Sequence, residues 1–530
     1  ITRNYYGKMS ELCHSAGLEM HAEPIYQDVN SWLYPPCNAL SPNAFCDLPM
    51  TEFWADVDDS TKEPCYRKCT RPMHSFPIDA ALLYGKSVIG AEAYTGYASF
   101  SDTPELVKPF GDRAFCSGIN QLILHSYPHQ PLDNSPHVTL RGLFGNIFNR
   151  NNPWWGMARG WSDYQTRIQY ILQQGEPVVD VLYYIGDGFP ERIPEKMLSE
   201  RVPSGYRANA CGFDFLDRIP GRFPLLVIPE GAMLEEKTLD RLSWLESKGV
   251  EVCRDRDGAM IPVRVQPDFS SDSDDFLFIH RHLKKQDAYF VFNQDDAPYR
   301  GEFIFRVTGT APQIWDPETG KTYAPEAWHR TEDGRTAVTV CFKGRQSLFI
   351  VFTDGKCAET WSGPAETVSI EDLSVRMEFA PFYDAGIAPV ECDRILPLNA
   401  FDDRDIRYFG GIVTYSISFD APPAVLDADG RLTLNLGKIS ATAEAYLNGE
   451  YIGNPWHSGQ DLSISGLKDK GNVLTVRVGT TLRNRMAGDM MMYGEPVNIK
   501  SATQTSLFVR DDSQLQPSGI SGPVTINIYR

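Results

Sequence analysis

Two stretches decide how this chain folds: Leu48-Pro-Met-Thr-Glu-Phe-Trp54 and Ser87-Val-Ile-Gly-Ala-Glu-Ala-Tyr94. Each is short enough for a single strand and sets a glutamate beside an aromatic ring. Leu18-Glu-Met-His-Ala-Glu-Pro24 and Ile119-Asn-Gln-Leu-Ile-Leu-His125 are similar apolar runs that also end in a polar residue, with helical stretches between them, such as Pro77 to Leu83 before Gly85. Strand and helix in alternation predict a parallel sheet closed by helical crossovers. In a (β/α)-barrel the carboxyl ends of the strands carry the catalytic groups. Residues 1–176 are therefore expected to form the later part of such a barrel.

Outward from there the period changes. Val178-Val-Asp-Val-Leu-Tyr-Tyr184, Phe223-Pro-Leu-Leu-Val-Ile-Pro229 and the helix Glu235 to Lys248, closed by Gly249, predict a small open α/β domain over 177–265. Period-two strands follow, among them Asp287-Ala-Tyr-Phe-Val-Phe-Asn293 and Ala337-Val-Thr-Val-Cys-Phe342, separated by turns such as Asp316-Pro-Glu-Thr-Gly320. They predict a β-sandwich over 266–365, then a second all-β domain over 366–530, a galactose-binding-like jelly roll whose Asn448-Gly449 marks a hairpin. The chain opens inside a helical stretch, Asn4 to Ala16, without a methionine, which raises the expectation of an amino-terminal segment of the same protein upstream. The acidic run Ser270 to Asp275 reads as a solvated loop, although such clusters can bind calcium.

The 530 residues carry 50 Lys and Arg against 69 Asp and Glu, a net charge of −19. A surface that negative repels phosphate backbones, which argues against nucleic acid and anionic membranes as partners. No apolar run approaches the roughly 20 residues of a membrane span. Eleven cysteines, an odd number, leave at least one thiol outside any intrachain disulfides. Cys37, Cys46, Cys65 and Cys69 could be imagined as a zinc cluster, but without Cys-x-x-Cys pairs plain thiols or one or two disulfides are the simpler reading.

Three glutamates stand apart from the surface charge. Glu23, Glu52 and Glu92 are spaced 29 and 40 residues apart, about one strand–helix step each, which would bring them to one mouth on neighbouring strands. Trp54 and Tyr94 flank them, and aromatic rings stack on the C–H faces of sugars. Glycoside hydrolysis is the reaction that most needs two carboxyl groups, one acid and one base or nucleophile. A single such glutamate is more commonly a salt-bridge or helix-dipole partner; three together shift the balance towards a site. His125 and His129 are candidates for substrate binding, or satisfied loop histidines. Trp154 and Trp155 offer a stacking platform, or plain core. No Gly-x-Ser-x-Gly, His-Glu-x-x-His or Walker loop is present, which disfavours serine-hydrolase and nucleotide chemistry.

At these residues the sequence resembles glycoside hydrolase family 106, the multidomain α-L-rhamnosidases. The likeness rests on Leu48-Pro-Met-Thr-Glu-Phe53, on Gly90-Ala-Glu-Ala-Tyr-Thr95, on Gly118-Ile-Asn-Gln121 with His125, and on Asn151-Asn-Pro-Trp-Trp155 with Tyr164 and Arg167. It continues through Trp315-Asp-Pro-Glu-Thr-Gly320, Ile406-Arg-Tyr-Phe-Gly-Gly-Ile-Val-Thr-Tyr415 and Arg483-Asn-Arg-Met-Ala-Gly-Asp489. The resemblance implies an inverting, calcium-assisted exo-hydrolase of terminal α-L-rhamnose on plant or microbial glycans, in a secreted or periplasmic setting. Carried over, Glu92 would be the general base and Glu52 would sit beside Ca2+ and the sugar hydroxyls. The family's general acid belongs to an earlier barrel strand that would precede Ile1, so either upstream sequence supplies it or Glu23 has taken the role. The alternatives are a barrel glycosidase for another sugar and a non-catalytic carbohydrate-binding protein with a degenerate barrel.

Overall fold

A computed structural model of the chain describes residues 2–23, 40–55, 57–58, 63–64, 76–96, 100–129, 138–139, 146–187, 201–255, 260–497, 500–501 and 515–529. The first region is a parallel sheet in the order β1 (His21–Ala22), β2 (Leu48–Trp54), β3 (Gly90–Thr95) and β4 (Gln121–Leu124). These four strands form an open sheet among the described residues, and the expected strand around residues 18–24 is reduced to two. Along β2, burial alternates strictly: Pro49, Thr51 and Phe53 are buried, whereas Leu48, Met50, Glu52 and Trp54 are half-exposed. One face of the sheet is thus packed and the other open, as the period of two requires.

Helices α1 (Lys8–Ser15), α2 (Phe76–Tyr84), α3 (Pro104–Ser117) and α4 (Arg159–Leu172) accompany the sheet. Ala91 and Ala93, both fully buried, share a core with Ala114, Phe115 and Cys116 of α3 and with Trp161, Ile168 and Leu172 of α4. Thr103 caps α3 by accepting from the Leu106 amide, and Pro104 opens its first turn. Gly118 ends it at φ +123, where a Cβ would stand 2.8 Å from both Arg207 and Ile78. Arg207 donates to the last carbonyls of α3, those of Cys116 and Ser117, and so ties the first region to the second.

The second region is an open parallel sheet in the order β6 (Ala208–Cys211), β5 (Val181–Tyr184), β7 (Leu225–Ile228) and β8 (Glu251–Arg254). Its helix α5 (Glu236–Ser247) stops at Lys248 and Gly249, where the sequence signals a stop.

Most of the rest is antiparallel, in two pairs of sheets. The first pair has four strands around 299–305 and 336–342 and six around 276–293 and 347–352, and the six-stranded sheet takes in residues 176–177 as its edge. The second pair has four strands around 431–435 and 525–529 and six around 411–419 and 472–479. Within the latter, Arg483–Tyr493 is a helix, α6, with an Arg485–Asp489 pair four residues apart and Gly494 as its left-handed stop. The core under the first sheet runs without a break into both antiparallel regions, through Phe290 and Phe349 in one and Ala441 and Trp456 in the other. A polar junction joins them as well. His457 pairs with Glu318 at 3.0 Å, and Glu105 of α3 accepts from the amide and hydroxyl of Ser458. Burial alone would raise Glu318; the positive charge of His457, with Lys108 and Lys343 further off, outweighs it and holds the carboxyl below the usual carboxylate range.

Among the described residues eight cysteines are free thiols, while Cys37, Cys65 and Cys69 lie outside them. Among the same residues no helix is long and apolar enough to cross a membrane.

Candidate active site

Glu52 and Glu92 are register partners on adjacent parallel strands, so both carboxylates project from the same open face. Glu23 follows β1 on the far side of β2 from Glu92. Glu23 keeps an exposed edge, but burial of the rest, with the negative charges of Glu52 and Glu92 nearby, pushes its carboxyl up to about 7. Such a group is largely protonated in mildly acidic solution and can give up that proton, which is how environment turns one of several like carboxyls into an acid.

Glu92 is held from one side. The Thr95 hydroxyl donates to its Oε1 at 2.5 Å, and His125 Nδ1 stands 3.4 Å from the same oxygen and 3.2 Å from Thr95 Oγ1. His125 immediately follows β4, and its backbone carbonyl accepts from the Asn146 amide. The Asn146 side chain in turn donates to the carbonyl of Tyr94. On the other flank His21 Nε2 lies 2.8 Å from Met50 Sδ. Trp54, at the end of β2, is half-buried on the face of Glu52.

Two sugar-binding candidates sit elsewhere than the sequence reading places them. Strict alternation along β3 would point Tyr94 inward with Glu92. Instead β3 carries an extra residue there: Phe53 pairs with Ala93 and Trp54 with Thr95, while Tyr94 adopts φ +62 and is 1% exposed. A bulge of this kind shifts every later side chain to the other face. Tyr94 therefore goes under the sheet and Thr95 comes into the mouth. Trp155 packs on Phe148 and Trp154, whose rings continue the same aromatic cluster, so it borders core rather than forming a free platform. His129 is exposed, four residues past His125. Thr95, Asn146 and His21 are contacts the sequence reading missed. Thr95 carries no signal of its own, because a bulge cannot be seen in a six-residue strand.

Among the described residues no group of three or more Asp, Glu, His or Cys side chains is gathered closely enough to hold a metal ion.

The sequence profile of glycoside hydrolase family 106, described as alpha-L-rhamnosidase, matches residues 1–220 and 234–326, more than half of the chain. This chain belongs to family 106. Its architecture agrees: a rhamnosidase from Novosphingobium sp. PP1Y superposes with a TM-score of 0.83 at 25% identity, over 99% of this chain and 55% of that one. A Formosa agariphila protein provisionally named a beta-glucuronidase is 27% identical over 447 residues, which make up 74% of this chain and 37% of that protein. The chain thus spans between about a third and somewhat over half of the length of these relatives. Glu23, Glu52, Glu92, Thr95 and His125 all fall within the matched residues of the family 106 profile.

Proposed function

We propose that this family 106 protein hydrolyses terminal α-L-rhamnosides with inversion, Glu23 acting as general acid and Glu92 as general base. The observation that carries the reading is the gathering of three glutamates on one open face, with the Glu23 carboxyl pushed up to about 7 by burial and by the charges of Glu52 and Glu92. Adjacent strands lie about 4.8 Å apart and the register sets Glu23 two strands and two residues from Glu92, so their backbones stand roughly 11–12 Å apart before the side chains lean together. An inverting pair needs roughly 6.5–9.5 Å between carboxyls to admit a water. Glu52, one strand from Glu92, is too near it for that role and is assigned to the sugar hydroxyls. In the reaction Glu23 gives its proton to the glycosidic oxygen as that bond breaks. Glu92 takes a proton from water as the water oxygen bonds to the anomeric carbon from the opposite face.

A neutral deoxy sugar suits this mouth. Its methyl group and C–H face would find Trp54 and Ile123, the register partner of Glu92 on β4, whereas the carboxylate of a uronic acid would meet three glutamates. The substrate class places the protein in a secreted or periplasmic setting, which cell fractionation would test. The activity test is release of 4-nitrophenol from the α-L-rhamnoside and the β-D-glucuronide, with and without EDTA, by wild type and Glu92→Gln. We expect rhamnoside turnover that falls by about 10²–10⁴-fold in the variant. Glucuronide turnover in its place would discard the sugar and keep the site; full activity in Glu92→Gln would discard the base. Loss of turnover in EDTA would show that residues beyond the described set complete a calcium site.

A further inference from the structure

Regular alternation would leave Thr95 facing the helices, out of reach of Glu92. It reaches the mouth only because Tyr94 takes a backbone conformation that L-residues seldom adopt. That conformation is held from below. The Tyr94 ring packs against Phe53 at 5.1 Å and Trp161 at 5.8 Å, and its hydroxyl accepts from Gln165 Nε2 at 2.9 Å. Residue 111 of α3 has to be glycine, because a Cβ there would stand 2.3 Å from the Tyr94 hydroxyl. The core has thus made room for this one side chain, and the consequence is the placement of Thr95, itself buried, behind the half-exposed carboxylate of Glu92.

We propose that Thr95 is a positioning residue for Glu92, set in place by the Tyr94 bulge. This rests on the general-base reading of Glu92 given above. A hydroxyl has one proton to give and lone pairs with which to accept. Thr95 spends its proton on Glu92 Oε1 at 2.5 Å and keeps a lone pair for His125 Nδ1 at 3.2 Å. The Thr95 bond fixes Oε1, with His125 Nδ1 3.4 Å from the same oxygen, and so turns the carboxylate about its last bond and presents Oε2 to the water. A base must stand within hydrogen-bond reach of the proton it removes. Holding one oxygen is therefore the way to aim the other.

The test uses the full chain and the glycoside it turns over. Thr95→Val keeps the shape and removes the hydroxyl; it should lower kcat about tenfold with KM within about twofold. Thr95→Ser should restore kcat to within about threefold, and equal melting temperatures would confirm folding. If Thr95→Val fails to fold, Thr95→Ala takes its place. The same change in a Glu92→Ala background, with azide as a nucleophile that needs no base, should cost nothing further, since Thr95 acts only through Glu92. Wild-type kcat in Thr95→Val would overturn the proposal. So would an equal loss in the azide-supported background, which would mean that Thr95 touches the substrate itself. Undiminished turnover in Glu92→Ala without azide is a different result: it removes the base assignment on which this rests.

Discussion

Two histidine–glutamate pairs of the molecule stand in opposite circumstances. At the mouth, His125 stands 3.4 Å from Glu92 with about a third of each side chain exposed (33% and 27%). At the junction of the two antiparallel regions, His457 stands 3.0 Å from Glu318 with 14% and 11% exposed. Chemistry alone does not separate a carboxylate–histidine pair proposed for catalysis from a structural one. At the junction both partners are shut away from solvent and their charges are committed to each other. At the mouth both contacts load one oxygen of Glu92, and water can reach the rest. Access and a spare acceptor make the first pair useful; enclosure makes the second a fastener.

The largest effect that would break this contrast is on stability. His457→Ala leaves Glu318 buried with its main counter-charge gone, and removing one partner of a buried pair costs ~3–5 kcal/mol. His125→Ala removes an open, solvent-screened contact and should cost less than about 1 kcal/mol while still reducing turnover. Thermal unfolding and kcat, measured on both variants, should therefore rank them in opposite orders. Equal losses of stability would mean that the two pairs do the same work.

The next effect is on pH dependence. A carboxyl raised to about 7 is protonated below that value and loses its proton as pH rises through it. With Glu23 as the acid, kcat should be highest below pH 7 and fall about tenfold per unit well above it. Glu23→Gln should be slow at every pH and show no limb near 7. A limb that survives that substitution would assign the acid to another residue.

The smallest effect probes the support under the mouth. Tyr94→Phe keeps the ring and the bulge but removes the bond from Gln165, and should cost about 1 kcal/mol of stability. Turnover should fall less than in Thr95→Val, because the hydroxyl of Thr95 remains in place. A loss as large as that of Thr95→Val would show that the bulge itself depends on the Tyr94–Gln165 bond.

Much of this was legible beforehand. The turn at Asp316 to Gly320, the strand Gly411–Phe419, the helix α5 with its Lys248-Gly249 stop and the parallel order of the first strands follow from local pattern. The three glutamates were visible as strand-borne acids among aromatics. Tyr94, however, was read as facing the sugar and is instead one of the most deeply buried rings in the chain. Trp155 was weighed as a platform and lies against core. α6 was hidden because Arg-Asn-Arg-Met-Ala-Gly-Asp sits among strand patterns, and its ion pair is internal to the helix.

The division has a physical reason. Hydrophobic period and turn chemistry are properties of a few neighbouring residues, so the sequence by itself determined the class of each region and the candidates for chemistry. A bulge depends on space offered by another element: the gap at Gly111 on α3, the amide of Gln165 on α4 and the rings around them. Burial likewise depends on what covers a group, which is why one glutamate is held below the usual carboxylate range, another lies near 7 and both look alike in the chain. Those choices belong to contacts between residues far apart in sequence, and only the tertiary structure made them.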